Sequence, residues 1–285
     1  IVLKPAPQTP LSVLRLAELA LEAGIPEGVI NIVTGSRPEL GQMLVAHPGI
    51  AMISFTGSTE VGRRIAVEAA GQFKKYSLEL GGKSPVILME DADIDSAGEA
   101  AAWSIFANHG QNCCAGARLY VHRSIYDAVI EKVVSVAESI TLSAPLEPAA
   151  MMGPLISTAH RQRVMGYVEQ GVADGAKLAT GGTSPDHQGA YIRPTVLTGV
   201  NPGMSAVTDE IFGPVMVAAP FDTEDEVLGL ANDSRFGLGA SVFSHDIERI
   251  NRMTQRLQSG SVWINVHNAL DVALPFGGWK ESGVG

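Results

Sequence analysis

Apolar positions change their period along the chain, and each change marks an element. Leu11, Leu14, Ala17 and Leu21 recur at helical spacing, with Thr9-Pro10 ahead of them as an N-cap and a proline at N1 and Gly24-Ile25-Pro26 behind them as a glycine C-cap. The opening Ile1-Val2-Leu3-Lys4-Pro5 and the β-branched stretch from Gly28 to Gly35 predict strands on either side of that helix. Pro38 to Ala46 predicts a helix, Ala51 to Phe55 a strand, Thr59 to Ala70 a helix and Lys75 to Leu80 a strand. This alternation implies βαβ units, hence a parallel sheet with right-handed crossovers and ligands at the carboxyl ends of its strands.

Past Gly82 the alternation continues with new partners. Helical periods run over Asp93 to Ala107, Ile125 to Ile140, Thr158 to Gly175, Thr223 to Asp233 and Asp246 to Gln258. Between them lie strands near Val86 to Met89, Arg118 to Val121, Val215 to Ala218, Ala240 to Phe243 and Ser261 to Asn265. A second α/β domain is expected there. No low-complexity linker or internal repeat separates the two parts.

Composition narrows the chemistry. The 285 residues are 46% hydrophobic and 18% charged, enough for a buried core and more than one domain. Thirty acidic residues against 20 basic ones give a formal charge of -10, and without a Lys/Arg cluster a nucleic-acid surface is not expected. The two cysteines are adjacent, which precludes an ordinary structural bridge and points to a reducing compartment, by default the cytoplasm. No membrane span or leader is visible, and the seven histidines show no metal-ligand spacing, so neither membrane nor metal is expected.

The candidate chemistry centres on Gly110-Gln111-Asn112-Cys113-Cys114-Ala115-Gly116, which sets a thiol between glycines and amides. A thiolate there is a workable nucleophile, since donors or positive dipoles lower its pKa and thioesters are readily made and broken. On residue types alone, a cysteine packed as a small hydrophobe is the competing role. Four other segments keep it company: Ile53-Ser54-Phe55-Thr56-Gly57-Ser58-Thr59-Glu60-Val61-Gly62, Leu78-Glu79-Leu80-Gly81-Gly82-Lys83-Ser84-Pro85, Glu210-Ile211-Phe212-Gly213-Pro214 and Leu274-Pro275-Phe276-Gly277-Gly278-Trp279-Lys280. Glu79 stands between two leucines before paired glycines, where partial desolvation would raise its pKa toward a useful value for a base. Phe55 to Ser58 turns from strand to helix, which suits either a plain tight turn or a pyrophosphate held by free N–H groups.

In this order and at these spacings, the five segments closely resemble the NAD(P)-dependent aldehyde dehydrogenase superfamily over essentially the whole chain. The resemblance implies an α/β fold: a partial, Rossmann-like cofactor domain with a parallel sheet over residues 1–81, and an α/β catalytic domain carrying the nucleophile loop over 82–285. It implies oxidation of an aldehyde to an acid with NAD or NADP. Cys113 matches the family nucleophile, which follows glycine, glutamine and any residue, leaving Cys114 to packing. Glu79 matches the general base. Its presence argues against the CoA-acylating semialdehyde branch, where that base is missing.

The same resemblance places Lys4 on the adenosine ribose, Gly41 (with Gly35) near the adenosine, and Gly57 and Ser58 at the phosphates. Leu80 and Gly81 join the cofactor positions, Glu210 holds the nicotinamide ribose, and Phe212 packs near the nicotinamide. Trp103, Phe106, Asn112, Leu270 and His267 fall near the substrate pocket. The stretch from Asn265 to Pro275 is similar to the phenylacetaldehyde-type subgroup more than to the betaine-aldehyde one. Two departures bear on the cofactor. Pro7 stands where NAD-preferring members carry a glutamate that repels the 2'-phosphate of NADP, and Arg37 stands where glycine is common, either as a solvated charge or touching the ribose or phosphates. Family members also carry a preceding region, with the rest of the cofactor domain and an oxyanion-binding asparagine, and a tail that forms an oligomerisation strand. The chain is therefore expected to be a fragment of a homodimer or homotetramer, and a non-catalytic cofactor-binding remnant remains the rival reading.

Overall fold

The computed structural model describes residues 1–185 and 189–285. Contacts divide it into two units, residues 1–54 with 63–76 and residues 55–62 with 77–285. Relative to the expected boundary at 81/82, the stretches 55–62 and 77–81 group with the larger unit.

In the smaller unit, β1 (Val2–Leu3) and β2 (Asn31–Ile32) pair in parallel, joined by α1 (Leu11–Glu22). The strand expected over Gly28 to Gly35 contracts to the two residues of β2. The helix closes in a Schellman motif: Gly24, at φ 87°, donates to the Leu21 carbonyl and Ile25 donates to that of Ala20, each at 3.0 Å. Its start differs from expectation, because Pro10 takes helical angles (φ -81°, ψ -23°) at the cap position and offers no side-chain acceptor there. Next comes α2 (Pro38–Ala46), with its proline in the first turn. Lys74 donates to the carbonyls of Val45, at the end of that helix, and His47. β3 (Met52–Thr56), α3 (Thr59–Gly71) and β4 (Lys75–Glu79) each begin in one unit and end in the other.

The larger unit is built on β5 (Pro85–Leu88), α4 (Ile94–Phe106), β6 (Arg118–His122), α5 (Tyr126–Ser139), α6 (Thr158–Ala173), β7 (Lys177–Thr180), β8 (Thr195–Thr198), a short α7 (Ser205–Thr208) and β9 (Val215–Phe221). It continues through α8 (Glu224–Asn232), β10 (Phe236–Gly237), β11 (Gly239–Phe243), α9 (Ile247–Arg256), β12 (Ser261–Ile264), β13 (Trp279–Lys280) and β14 (Gly283–Val284). Seven strands form one sheet in the order β12-β11-β5-β6-β9-β8-β7, parallel except for the β7–β8 pair.

Both faces of this sheet are covered. Val86 and Leu88 of β5 pack with Ala101, Ala102, Ile105 and Val129 of α4 and α5, while Ile87 faces Val227, Leu228 and Met253 of α8 and α9. Two-sided burial explains why these strands read as continuous apolar runs. Helix starts follow the expected chemistry: the side chains of Asp93, Ser157, Thr223 and Asp246 accept backbone N–H bonds at the heads of α4, α6, α8 and α9.

Candidate active site

Three of the marked segments lead into neighbouring strands: Gly81-Gly82 into β5, the cysteine turn into β6, and Glu210 to Pro214 into β9. They therefore meet at the amino ends of the large sheet. Glu79 arrives separately, at the carboxyl end of β4, where β14 pairs with it antiparallel (Gly283 opposite Glu79). The segments are locked by backbone contact at glycine. A Cβ on Gly82 would collide with the Cys113 carbonyl, one on Gly110 with the Gly213 carbonyl, and one on Gly81 with the Glu210 carboxylate.

The cysteine turn owes its shape to Asn108, His109 and Gly110, all left-handed with φ of 50°, 62° and 64°. Such a run is costly for residues other than glycine and persists where surroundings enforce it. His109 Nε2 accepts the Gly153 N–H at 2.9 Å, and Gln111 Oε1 accepts that of Ile156 at 3.0 Å. Asn112 Oδ1 then accepts the Cys114 N–H at 3.0 Å. The amide side chains thus brace the turn, and Asn112, expected at the substrate pocket, serves the turn itself.

The two thiols are not equivalent. Cys113 is partly exposed, whereas Cys114 is buried against Leu238 and Trp263. Their sulfurs lie 3.9 Å apart. A hydrogen bond from the Cys114 thiol holds Cys113 below the ordinary thiol pKa, outweighing burial and the Glu210 charge, with help from the backbone N–H groups of both cysteines. Cys114 is pushed up by donating that bond and by burial. Of the two, Cys113 is the one its surroundings favour as thiolate.

Glu79 sits half-buried with its Oε1 against Gly277 and Gly285, while Oε2 is buried without a hydrogen-bond partner among the described residues. Burial raises its pKa. Glu210 accepts the Gly82 N–H at 3.1 Å, and burial raises its pKa against the pull of that bond and of Arg163, Lys83 and Arg235. Phe212 is exposed at φ 59°, its carbonyl bonded to His160 Nε2 at 2.6 Å. At the head of α3, Ser58 Oγ accepts the Val61 N–H at 3.4 Å, and Gly57 donates to the Glu79 carbonyl at 3.0 Å.

Several expected positions stand elsewhere. Phe106 is 1% exposed and belongs to the core under the large sheet with Ile105, so it does not face a pocket. The helical period is the reason: Phe106 follows Ala102 by four residues on the buried face of α4. Trp103 packs partly against that core, and Leu270 is 62% exposed. His267 turns toward the cysteine turn: its Nε2 donates to the Cys114 carbonyl at 2.9 Å, so Nδ1 accepts from Ser241 Oγ at 2.6 Å. Burial lowers its pKa to about 4, keeping the ring neutral. In the smaller unit, Lys4 Nζ donates to the Pro5 carbonyl at 3.2 Å, Arg37 is exposed, and Gly41 has open space where a Cβ would stand.

Sequence reasoning gave no role to Lys83, Ser282 or the Ser241–His267 pair. Ser282 is fully buried, donating to the Gly81 carbonyl at 2.6 Å and accepting the Gly237 N–H at 3.0 Å. These links join residues remote in sequence, and no local pattern announces them. Among the described residues no cluster of His, Cys, Asp and Glu could hold a metal, and no helix is long and apolar enough to cross a membrane.

A parallel sheet covered on both faces thus carries a partly exposed thiol and, in the same unit, two carboxylates whose pKa values burial raises. The model of the Aldehyde dehydrogenase family matches residues 1–285, and the chain belongs to that family. It is 49% identical over its whole length to a phenylacetaldehyde dehydrogenase from Pseudomonas fluorescens, covering 57% of that protein. It is 43% identical to a betaine aldehyde dehydrogenase from Rhizobium johnstonii, covering all of the chain and 59% of the relative. The NAD+ complex of an aldehyde dehydrogenase from Bacillus cereus superposes with a TM-score of 0.98 at 47% identity, over all of the chain and 58% of that structure. The chain thus spans little more than half the length of these relatives.

Proposed function

We propose that the whole protein is an NAD(P)-dependent aldehyde dehydrogenase of the hydrolytic type, with Cys113 as nucleophile and Glu79 as base. The observation that carries this is the asymmetry of the two thiols, one favoured as thiolate and the other held as its donor, beside a desolvated carboxylate. The Cys113 thiolate adds to the aldehyde carbonyl, its own N–H stabilising the oxyanion. Loss of hydride from this adduct leaves a thioester on Cys113. Glu79 takes a proton from water, which adds to the thioester and releases the acid and the thiolate.

The nicotinamide cofactor supplies the hydride acceptor. The donor set fits it: the head of α3 at Ser58 suits a phosphate, and the Glu210 carboxylate beside Gly81 suits ribose hydroxyls. Leu80 and Phe212 lie in the same two segments, and Lys4 and Gly41 serve the adenosine end. Residues through 81 complete the cofactor domain and those beyond it form the catalytic one. The aldehyde is read as apolar, of the phenylacetaldehyde type, with Trp103 and Leu270 near it; identity to the Pseudomonas relative supports this. A soluble cytoplasmic homodimer or homotetramer completes the proposal.

Two variants of the full-length enzyme test it. Cys113→Ala abolishes NAD(P)H formation from phenylacetaldehyde, and Cys114→Ala keeps most of it. Equal losses in the two, or activity retained without Cys113, would sink the assignment.

A further inference from the structure

Lys83 is 2% exposed, and its ammonium has no hydrogen-bond partner among the described residues. It stands three residues from Glu79's neighbour Leu80, on the segment whose Gly82 N–H binds Glu210. Its side chain lines a small cavity with Gly82, Gly110, Asn112, Glu210 and Ile211. An isolated buried ammonium costs several kcal/mol unless paired or solvated, so a fold that retains one usually uses it.

The charges around it are unevenly placed. Arg118 repels it, while Asp209 and Glu210 attract it, and burial brings its pKa down to about 7. Arg118 itself is bonded to the carbonyls of Lys83, Leu230 and Ala231. Asp209 accepts from Tyr167 at 3.3 Å. The Glu210 carboxylate accepts the Gly82 N–H and, among the described residues, forms no direct ion pair with Lys83. The two line one small cavity, where a single water between them would have an ammonium and a carboxylate as partners.

We propose that Lys83 is a positioning residue for the cofactor site: through a water in the cavity that both line, its ammonium keeps the Glu210 carboxylate ionised and turned toward the ribose hydroxyls. This rests on the role given to Glu210 above. A buried carboxylate without a counter-charge takes up a proton and becomes a poorer acceptor for two hydroxyl donors. Lys83 opposes that, and the gap between them leaves Glu210 oxygen free for the ligand.

The test is NAD+ affinity of the full-length enzyme from about pH 6 to about pH 9, read by protein fluorescence, for wild type, Lys83→Met, Lys83→Gln, Glu210→Gln and Lys83→Met/Glu210→Gln. The Lys83 variants are expected to bind about tenfold more weakly at neutral pH and to recover as pH rises and Glu210 ionises unaided. Glu210→Gln weakens binding at every pH, and adding Lys83→Met to it costs no more, since the lysine acts through that carboxylate. Folded Lys83 variants with wild-type affinity and pH profile would overturn the proposal. If Glu210→Gln also binds normally, the role of Glu210 fails first, and the two failures are told apart. Should neither Lys83 variant fold, NMR titration of the labelled wild-type lysine side chains decides: a Lys83 midpoint near 7 that rises when NAD+ is bound supports the proposal. A midpoint that the cofactor does not move contradicts it.

Discussion

Helices α1 and α4 arise from the same helical spacing of apolar residues, yet α4 buries Ala97, Ala101, Ala102, Ile105 and Phe106 while α1 buries none. The period names the apolar face of a helix but not what covers it. In the larger unit a seven-stranded sheet covers those faces, and the side chains with perturbed chemistry, Cys113, Glu79, Glu210, His267 and Lys83, all stand there. A doubly covered sheet can hold a turn with three left-handed residues and a buried ammonium. Chemistry and stability are therefore expected to respond to changes in the larger unit, and cofactor preference to changes in the smaller one.

The largest effect should come from Glu79. Glu79→Gln in the full-length enzyme is expected to keep a burst of reduced cofactor in stopped-flow absorbance but to slow the steady state on the order of 10³-fold, as loss of a general base does. Because burial raises the Glu79 pKa above its ordinary 4.5, the wild-type steady-state rate should fall as pH drops through a midpoint above that value. An unchanged steady-state rate in the variant would place water activation elsewhere and remove one half of the contrast.

Stability provides the next test. In the 285-residue chain, Phe106→Ala deletes a side chain 1% exposed and should cost about 3–5 kcal/mol, read as a lowered denaturant midpoint. Leu16→Ala, at 62% exposure on α1, should stay within about 0.5 kcal/mol. Similar losses in both would mean that the exposed stripe of α1 is covered after all.

Much of this was legible beforehand. The strands β5, β6, β9, β11 and β12 and the five long helices of the larger unit follow from period and caps, whereas the three segments that meet at the site stand out only by family resemblance. The two-residue strands β10, β13 and β14 were not legible, because a period needs more residues than they contain. The resemblance sets Phe106 near the pocket, whereas its helical face carries it into the core. The Ser241–His267–Cys114 chain links residues 26 and 153 positions apart and leaves no local trace. Lys83 was visible as a letter, but its burial was not, since a lysine after paired glycines reads as a solvated turn.

The smallest effect belongs to the smaller unit. Pro7 is exposed and offers neither a carboxylate to hold a ribose hydroxyl nor one to repel a 2'-phosphate. NAD and NADP should therefore differ in kcat/KM by less than about a hundredfold, about 3 kcal/mol, and Pro7→Glu should shift the ratio toward NAD by about tenfold. No shift would assign selectivity to other residues.

The most direct test of the central claim is the competition between the two thiols. With the native full-length enzyme, limited alkylation by iodoacetamide across pH, followed by peptide mass spectrometry, reports each cysteine separately. The account predicts that Cys113 is modified at least about tenfold faster than Cys114, with a midpoint below the ordinary thiol value of about 8.5. Equal rates, a faster Cys114, or an ordinary midpoint for Cys113 would contradict it.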